Sequence, residues 1–387
     1  MRGLREAVTG MRPTWAEIDL RAFERNVEEL AARVGSGTKI LPLLKADAYG
    51  HGAVELAKRC DPRHVGMIGV ALLEEALELR QAGITLPILV LGPLGEPQVR
   101  AAVDHDITLG VPGPEELEIV ARVARDRDVT IHLKLDTGMG RMGCIETDMP
   151  RVAELIRSAP RLKVDAIYSH FANASDVRDP FTEEQRARFH SLVETLREAG
   201  ITASRTHLAN SAAAMRGITD GDFVRIGVAL LGAEALDVDS PRLEPLMRWR
   251  SEVARLKEVP AGSSIGYGRT FFTQRPSRIA TIPVGYADGY ARRLSNQADM
   301  LVRGRRVPLV GRVSMDLITL DVTDVPEAAV GDEVVLLGRQ GEEEITAEEL
   351  ASKLDTISYE VFCSVGARVP RVYRDGDDVV AIRSRFA

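Results

Sequence analysis

Short apolar runs alternate with amphipathic stretches between Lys39 and about Gly232. The apolar runs cover residues 40–44, 65–71, 87–91, 107–111, 129–135, 162–168, 204–209 and 223–231. Helical periodicity between them is clearest at residues 73–81, 114–125, 182–198 and 211–216. Eight βα units in about 200 residues match the order and length of a (β/α)8 barrel, whereas a doubly wound sheet usually has fewer strands. The pattern predicts an α/β fold with an N-terminal TIM-like barrel.

The pattern changes beyond Gly232. From Pro241 onward, helical periodicity nearly disappears, and Gly, Pro, Asp and Arg separate short apolar runs at residues 279–284, 300–302, 307–310, 317–322 and 334–337. One short helix is predicted at residues 347–354. We therefore expect a barrel domain over residues 1–240 and a mostly β C-terminal domain over residues 241–387.

Composition and charge narrow the class of partner. The 387 residues include 50 Lys plus Arg and 57 Asp plus Glu, a net charge of −7. This balance offers no positive field for nucleic acid or an anionic membrane, so a small molecule is the expected ligand. No run approaches the ~18 apolar residues of a membrane span, and the N-terminus lacks the apolar segment of a signal peptide. Three scattered cysteines form neither a disulfide framework nor a CxxC pair, which fits a cytoplasmic location.

The first predicted barrel strand ends at a lysine. Period-two alternation places Leu41, Leu43 and Lys45 on one face. If that face is inward, Lys45 stands at the mouth of an apolar core, where burial lowers its pKa and makes it a nucleophile toward a carbonyl group. An exposed lysine at a strand end is an equally good interpretation of position alone.

The fifth predicted strand turns polar groups inward. Ile131, Leu133 and Leu135 suit the helix layer, which directs His132, Lys134 and Asp136 toward the barrel interior. The following loop, residues 138–143, matches the dinucleotide fingerprint G-x-G-x-x-G. That fingerprint needs its last glycine to open a helix, but residues 144–150 intervene before the next helical pattern. The match therefore does not predict a nicotinamide site.

The last strands add candidates for binding an anion. His170, His207 and Arg225 lie on or just past strand ends, and Asn210-Ser211 and Gly227-Val228 offer exposed backbone N–H groups after strands seven and eight. Phosphate sites in barrels often use those two loops. A lysine on strand one with a phosphate site there suggests pyridoxal phosphate. A single His or Ser on such a strand is more often structural, so the inference depends on the whole constellation.

Several motifs resemble those of the alanine racemase family, a group of pyridoxal phosphate enzymes of fold type III. The motifs are LKADAYGHG (44–52), LDTGMGRMG (135–143), HFANA (170–174), HLANS (207–211), IGYGRT (265–270), VGYADGY (284–290), GRVSMD (311–316) and ISYEV (357–361). Their order extends over nearly the whole chain. Residues 14–20 resemble the family's opening strand, so the segment before about residue 38 is expected to pack on the C-terminal domain.

The resemblance implies a racemase that uses two bases. Lys45 would hold pyridoxal phosphate and act on one face of the substrate Cα, and Tyr267 of a second subunit would act on the opposite face. Racemisation requires such a pair, because one group removes the proton and the other returns it from the opposite side. The implied reaction interconverts L- and D-alanine and supplies D-alanine for peptidoglycan. It implies a homodimer with shared active sites and no metal.

The resemblance also implies ligands for the cofactor. The phosphate would be bound by Tyr49, Ser211, Tyr359 and the backbone of Gly227 and Val228, next to Asn210. Arg225 would face the pyridine nitrogen, with His207 bonded to it from behind, and His170 would lie beside the cofactor. A guanidinium has no acceptor and stays protonated, so the pyridine nitrogen would remain unprotonated, which limits transamination.

Further residues would bind the substrate. Arg141 would meet the cofactor's phenolic oxygen and the substrate carboxylate, and Lys134 would be carbamylated to position Arg141. Met315 of the partner subunit would donate a backbone N–H to the carboxylate. Tyr286, with Tyr267 and Met315, would surround the substrate side chain, so serine or a broader set of amino acids stays open as the substrate.

Three other protein classes share parts of this pattern. A metal-dependent hydrolase barrel would use a carbamylated lysine with histidines, but Lys45-Ala-Asp47 provides no close histidine pair on the first strand. A non-catalytic carrier of pyridoxal phosphate resembles only the barrel half of this chain. A decarboxylase of the same fold type would place a carboxylate where this chain has Arg225.

Overall fold

The first domain of the computed structural model, which describes residues 10–233 and 243–385, is a closed barrel. Strand β1 (Thr14–Asp19) precedes eight parallel barrel strands: β2 (Lys39–Pro42), β3 (Ile68–Val70), β4 (Ile88–Val90), β5 (Thr108–Val111), β6 (Val129–Lys134), β7 (Leu162–Tyr168), β8 (Arg205–His207) and β9 (Phe223–Ile226). Strands β3 to β8 form one sheet and β2 pairs with β9. Bridges join β2 to β3 and the end of β8 to β9, which closes the barrel.

The predicted fold class is confirmed, and all eight predicted strands are present. Most of them are shorter than predicted, the eighth by the most, because β9 ends at Ile226 and a 3-10 turn, Val228–Leu231, follows Gly227. The predicted domain boundary at residues 240/241 lies outside the described residues. Among the described residues, no helix is both long and apolar enough to cross a membrane.

Helices cover the outside of the barrel. They span Leu20–Val34, Ala53–Ala57, Leu73–Gln81, Glu96–Asp104, Pro114–Val123, Met149–Arg157, Phe181–Glu198 and Ser211–Met215. The first begins where the Asp19 side chain accepts the N–H of Ala22, a common N-cap. It packs on the barrel, where Asn26 donates to the carbonyl of Leu230. The same helix also contacts the second domain, where Arg21 pairs with Asp375, so the expected packing of the segment before about residue 38 on that domain is present beside its contacts with the barrel.

The second domain consists mostly of strands. They are β10 (Met247–Glu252), β11 (Arg255–Val259), β12 (Ser264–Ile265), β13 (Phe271–Phe272), β14 (Ser277–Ile282), β15 (Asp299–Val302), β16 (Arg305–Pro308), β17 (Ile318–Asp321), β18 (Glu333–Gln340), β19 (Glu343–Ile345), β20 (Arg371–Asp375) and β21 (Asp378–Arg383). Strand β1 lies between β10 and β20 in the largest sheet, so this N-terminal strand belongs to the second domain. Besides the predicted helix Ala347–Leu354, the domain contains the helix Ser358–Ser364.

Alternation along the barrel strands separates two apolar clusters. Leu41, Met67, Leu89 and Phe223 pack together inside the barrel. The side chains of Ile131, Leu133 and Leu135 belong instead to the large core shared with the helices. Full burial of such side chains stabilises the fold by roughly 1.5–3 kcal/mol each. The interior of the barrel is therefore packed with side chains, and its reactive groups lie at one end.

Candidate active site

A cavity of about 140 Å³ lies at the carboxyl ends of the barrel strands. It is lined by Leu43, Lys45, Tyr49, His170, Asn210, Ser211, Ala212, Arg225, Gly227, Val228 and Tyr359. All except Leu43 and Ala212 are residues that the sequence analysis selected. Tyr359 comes from the helix Ser358–Ser364 of the second domain, so both domains enclose the cavity. Barrel enzymes carry their catalytic groups at this end.

The backbone after Lys45 forms a left-handed turn. Ala46, Asp47, Ala48 and Tyr49 have φ values of 51°, 54°, 52° and 52°. Left-handed helical backbone costs roughly 1–2 kcal/mol for an ordinary L-residue, and it persists only where the surroundings enforce it. The turn lets the chain reverse directly behind Lys45, which leaves the lysine at the cavity. No local sequence signal predicts this turn.

Glu75 holds the start of the turn. One of its carboxylate oxygens accepts the N–H of Ala46 at 2.6 Å. The other accepts the N–H groups of Ala71 and Leu72 at 2.8 and 3.0 Å, at the N-terminus of the helix Leu73–Gln81. The residue directly after Lys45 is thereby tied to the neighbouring βα unit.

Two further side chains hold the rest of the turn. Asp47 accepts the N–H of Ala53 at 2.9 Å and pairs with Arg383, near the end of the described chain. His51 is fully buried, and its Nδ1 lies 3.1 Å from the carbonyl oxygens of Ala48 and Tyr49. Sequence reasoning missed these groups and Glu75, because their partners are distant in sequence or act only on the backbone.

Lys45 lies at the cavity rather than in open solvent. Its Nζ is 5.9 Å from the ring centroid of Tyr49. Burial lowers the pKa of Lys45, and the nearby positive charge of Arg141 lowers it further. Both effects favour the neutral amine, which is the form that attacks carbonyl groups and accepts protons.

One end of the cavity is narrow. The hydroxyl of Ser211 accepts the N–H of Gly227 at 3.1 Å, which joins the N-terminus of the helix Ser211–Met215 to the end of β9. The rings of Tyr49 and Tyr359 meet edge to face at 5.8 Å. A Cβ at position 227 would lie 2.5 Å from the hydroxyl of Tyr49, so any larger residue there would displace that hydroxyl. Hydroxyls and close backbone in this arrangement suit a small anion such as a phosphate group.

Arg225 is buried in the floor of the cavity. Its guanidinium donates to the carbonyl oxygens of Ser169, His207 and Leu208, to Nδ1 of His207 at 2.7 Å and to Nδ1 of His170 at 3.1 Å. All of these acceptors are uncharged groups, so none of them neutralises the guanidinium. Burial lowers the pKa of Arg225 to about 10, so it remains a cation at neutral pH. Burial and the charge of Arg225 also lower the pKa of His170 and His207 well below its usual range, so both imidazoles are neutral.

Lys134 is buried near two arginines. Burial lowers its pKa to about 8, and the charges of Arg141 and Arg225 contribute to that shift. Its Nζ lies 5.9 Å from the ring centroid of Tyr168. The inward orientation predicted for Lys134 and His132 agrees with their burial.

Asp136 does not join the polar groups inside the barrel. Its carboxylate accepts the N–H groups of Gly138, Met139 and Gly140 at 2.9 to 3.2 Å, which folds the loop that carries Arg141. The prediction that Asp136 faces the interior is therefore wrong, because local backbone donors capture the carboxylate. The G-x-G-x-x-G match in this loop opens no helix, since the strand-like bridge between Leu135 and Cys144 follows it directly.

Three predicted site residues lie elsewhere in the chain. Tyr267, Met315 and Tyr286 are exposed on the second domain, with 71%, 53% and 43% of their surface accessible, and none lines the cavity of its own chain. The N–H groups of Tyr286 and Ala287 donate to the carbonyl oxygens of Ser314 and Met315, so the loops of Tyr286 and Met315 are held together. Within residues 10–233 and 243–385, no group of three His, Cys, Asp or Glu side chains is arranged to hold a metal ion.

Comparison with protein families gives matches over both domains. A family described as "Alanine racemase, N-terminal domain" matches residues 18–235, and one described as "Alanine racemase, C-terminal domain" matches residues 246–373. An alanine racemase of Halothermothrix orenii is 41% identical over 369 residues, covering 94% of this chain and 97% of that protein.

Solved structures give the same result. An alanine racemase from Bacillus anthracis with bound L-Ala-P superposes with a TM-score of 0.91 at 36% identity, covering 97% of this chain and 98% of the other. One from Bartonella henselae with covalently bound pyridoxal phosphate has a TM-score of 0.85 at 28% identity, covering 94% and 99% of the two chains. Each similarity extends through both domains.

Proposed function

This chain belongs to the alanine racemase family, and we propose that it interconverts L- and D-alanine with pyridoxal phosphate held by Lys45. The observation that carries this proposal is the convergence of Lys45, a narrow anion-binding end and buried Arg225 on one cavity. The similar proteins with bound pyridoxal phosphate and bound L-Ala-P support the choice of cofactor and substrate.

The residues of the cavity fit the cofactor. Lys45 supplies an amine whose pKa is lowered. The hydroxyl of Tyr49 lies close to the backbone of Gly227, in space that a Cβ at this position would occupy. Tyr49, Ser211, Tyr359 and the backbone at Gly227 and Val228 would hold the phosphate group, with Asn210 beside them. When bound, pyridoxal phosphate supplies the electron withdrawal that makes the substrate Cα acidic.

Arg225 would act as a hydrogen-bond donor toward the pyridine nitrogen. Its guanidinium is held by neutral acceptors and keeps its own protons at neutral pH. Arg225 would therefore share a hydrogen with the pyridine nitrogen without transferring it, and that nitrogen would stay unprotonated. An unprotonated ring withdraws electrons less strongly, which favours return of the proton to Cα over side reactions such as transamination. His170 would lie beside the ring as a neutral imidazole.

Arg141 would bind the substrate carboxylate and the phenolic oxygen of the cofactor. Carbamylation of Lys134 fits this role, because it replaces a cation near Arg141 with an anion that can position the guanidinium. The lowered pKa of Lys134 supports this modification, since carbon dioxide reacts with the neutral amine. The backbone N–H of the partner's Met315 would complete the binding of the carboxylate.

The second base would come from another subunit. Lys45 acts on one face of the substrate, and Tyr267 of the partner subunit would act on the other. In its own chain Tyr267 is exposed and lies outside the cavity, in a loop where Gly266 and Gly268 have φ values of 73° and 71°. A head-to-tail homodimer would carry two shared sites and cover Tyr267 together with other exposed apolar residues of the second domain.

Three parallel incubations test the proposal. The purified protein is mixed with pyridoxal phosphate in deuterated water, separately with L-alanine, D-alanine and L-serine, and Cα deuterium is followed together with chirality. We expect deuterated alanine of inverted chirality and little change in serine. Comparable inversion of both would indicate a broad-specificity or serine racemase, and bound cofactor without exchange would indicate a non-catalytic carrier. We further propose that the enzyme is cytoplasmic and that its D-alanine serves peptidoglycan synthesis.

A further inference from the structure

Four polar side chains form a line through the barrel interior. Nη1 of Arg225 lies 2.7 Å from Nδ1 of His207, and Nε2 of His207 lies 2.9 Å from Nδ1 of His132. Nε2 of His132 lies 3.5 Å from a carboxylate oxygen of Asp165, the longest step of the line. Both imidazoles are fully buried, and in the described part of the chain Nε2 of His132 has no hydrogen-bond partner closer than Asp165. The line therefore connects the cavity floor to a carboxylate outside the active site.

A β-bulge brings Asp165 into the line. Ile131 pairs with Val164, but the next residue, His132, pairs with Ala166, so Asp165 is an extra residue in β7. Bulges redirect side chains and occur often near active sites. Without the extra residue, the residue that follows Val164 would pair directly with His132.

The line has one consistent direction of donors and acceptors. A guanidinium only donates, so Nδ1 of His207 carries no hydrogen. Neutral His207 then carries its hydrogen on Nε2 and donates it to Nδ1 of His132. His132 in turn carries its hydrogen on Nε2, which faces the acceptor-only carboxylate of Asp165. Burial lowers the pKa of both histidines, which is consistent with two neutral rings.

We propose that His132 and Asp165 are positioning residues that hold His207 in the tautomer required by Arg225. In the opposite tautomer, His132 would point a hydrogen at Nε2 of His207. His207 would then point a hydrogen at the guanidinium, and the bond that orients Arg225 would be lost. Asp165 disfavours this inversion because it offers only acceptor atoms, and it thereby acts together with the donor-only guanidinium at the other end of the line. The functional part of this inference rests on the proposed role of Arg225 at the pyridine nitrogen.

The tautomers are measured directly. The holoenzyme is labelled with 15N-histidine, and the side-chain nitrogens of its seven histidines are recorded by solid-state NMR, because bare and protonated nitrogens resonate far apart. Spectra of His132→Gln and His207→Gln assign the two residues. We expect a bare Nδ1 and a protonated Nε2 in both. A proton on Nδ1 of either ring, or two protonated nitrogens, would overturn the proposed direction.

Substitutions at Asp165 then test the cause. Asp165→Ala removes the acceptor and should produce a mixture of tautomers at His132 and His207. Asp165→Asn can still accept through its amide oxygen and should keep the original pattern. Lys163→Ala is the matched control, because Lys163 pairs from an exposed position with Oδ1 of Asp165 at 3.0 Å, whereas the oxygen that faces His132 is Oδ2. An unchanged spectrum for Asp165→Ala would refute the role of Asp165.

Kinetics separate positioning from stability. Loss of an outer partner typically costs about tenfold or more in activity, so Asp165→Ala should lower kcat by roughly tenfold with little change in KM, and Asp165→Asn should restore most of it. Equal kcat for Asp165→Ala and Lys163→Ala would count against positioning. The NMR result does not depend on turnover, so an enzyme without racemase activity but with the expected tautomers would contradict the proposed function and leave the hydrogen-bond line intact.

Discussion

Replacing Ala46 with glycine should stabilise the protein, contrary to the usual effect of this change. Ala46 is exposed, with φ 51° and ψ 46°. An alanine in this conformation costs roughly 1–2 kcal/mol, a cost that glycine avoids. Glycine also gives the unfolded chain more freedom, which offsets about 0.5–1 kcal/mol. The difference is a gain of about 0.5–1 kcal/mol in the free energy of unfolding for Ala46→Gly.

The matched control is the same substitution in a right-handed helix. Ala32 is exposed within the helix Leu20–Val34, where glycine costs about 1 kcal/mol relative to alanine. Urea unfolding of the protein without pyridoxal phosphate gives both values and avoids stabilisation by bound cofactor. The two substitutions should shift the urea midpoint in opposite directions.

The same variant also tests what the turn does for Lys45. The N–H at position 46 remains to donate to Glu75, so the hydrogen bond at 2.6 Å is retained. Glycine nevertheless lets the turn leave the left-handed region, so kcat should fall while the free energy of unfolding rises. Destabilisation of Ala46→Gly by as much as Ala32→Gly would show that the turn is not strained, and the reasoning would be refuted.

Three further results are expected. Tyr267→Phe should slow proton abstraction from one enantiomer of alanine by roughly 10²–10⁴-fold, while the other enantiomer should still exchange its Cα proton for deuterium with retention of chirality. Tyr290→Phe is the control, because the buried hydroxyl of Tyr290 has no hydrogen-bond partner among the described residues. Equal loss of rate for both enantiomers would contradict a base that acts on one face. Gly227→Ala should raise the Kd of pyridoxal phosphate about tenfold or more, because its Cβ would displace the Tyr49 hydroxyl, whereas Gly37→Ala, in open space, should leave the Kd unchanged. The free energy of unfolding should fall as the pH drops from about 6.5 toward 4. Burial lowers the pKa of His51 to about 4, so in this range the unfolded chain takes up a proton on His51 that the folded chain does not. Urea midpoints that stay constant over this range would contradict the prediction.

The count of alternating strand and helix patterns was sufficient to predict the barrel, and period-two alternation within the strands predicted much of its site. Alternation placed Lys45 at the end of an inward face and turned His132 and Lys134 away from the helix layer, and the structure has all three in those positions. These features depend on neighbours within one strand, so a local pattern contains them. The motifs then supplied Tyr49 and Tyr359, which no periodicity selects.

Features that depend on distant partners were missed. Strand β10 contains Arg250, a charged residue that interrupts the apolar pattern, yet it is buried because it pairs with Glu17 at 3.1 Å and with Glu333. Likewise, the bulge at Asp165 shifts the register between two strands, and Asp136 is captured by its own loop. Each depends on a contact between segments or on local backbone donors that hydrophobic patterning does not encode.

The charges around the cavity explain why this site needs an anionic cofactor and substrate. Its lining contains the basic side chains of Lys45 and Arg225 and no carboxylate, and Lys134 and Arg141 are close enough to lower the pKa of their neighbours. Phosphate, phenolate and substrate carboxylate would each reduce this excess of positive charge, as would a carbamate on Lys134. The positive charge that favours an anionic cofactor and substrate therefore also contributes, together with burial, to the lowered pKa of Lys45.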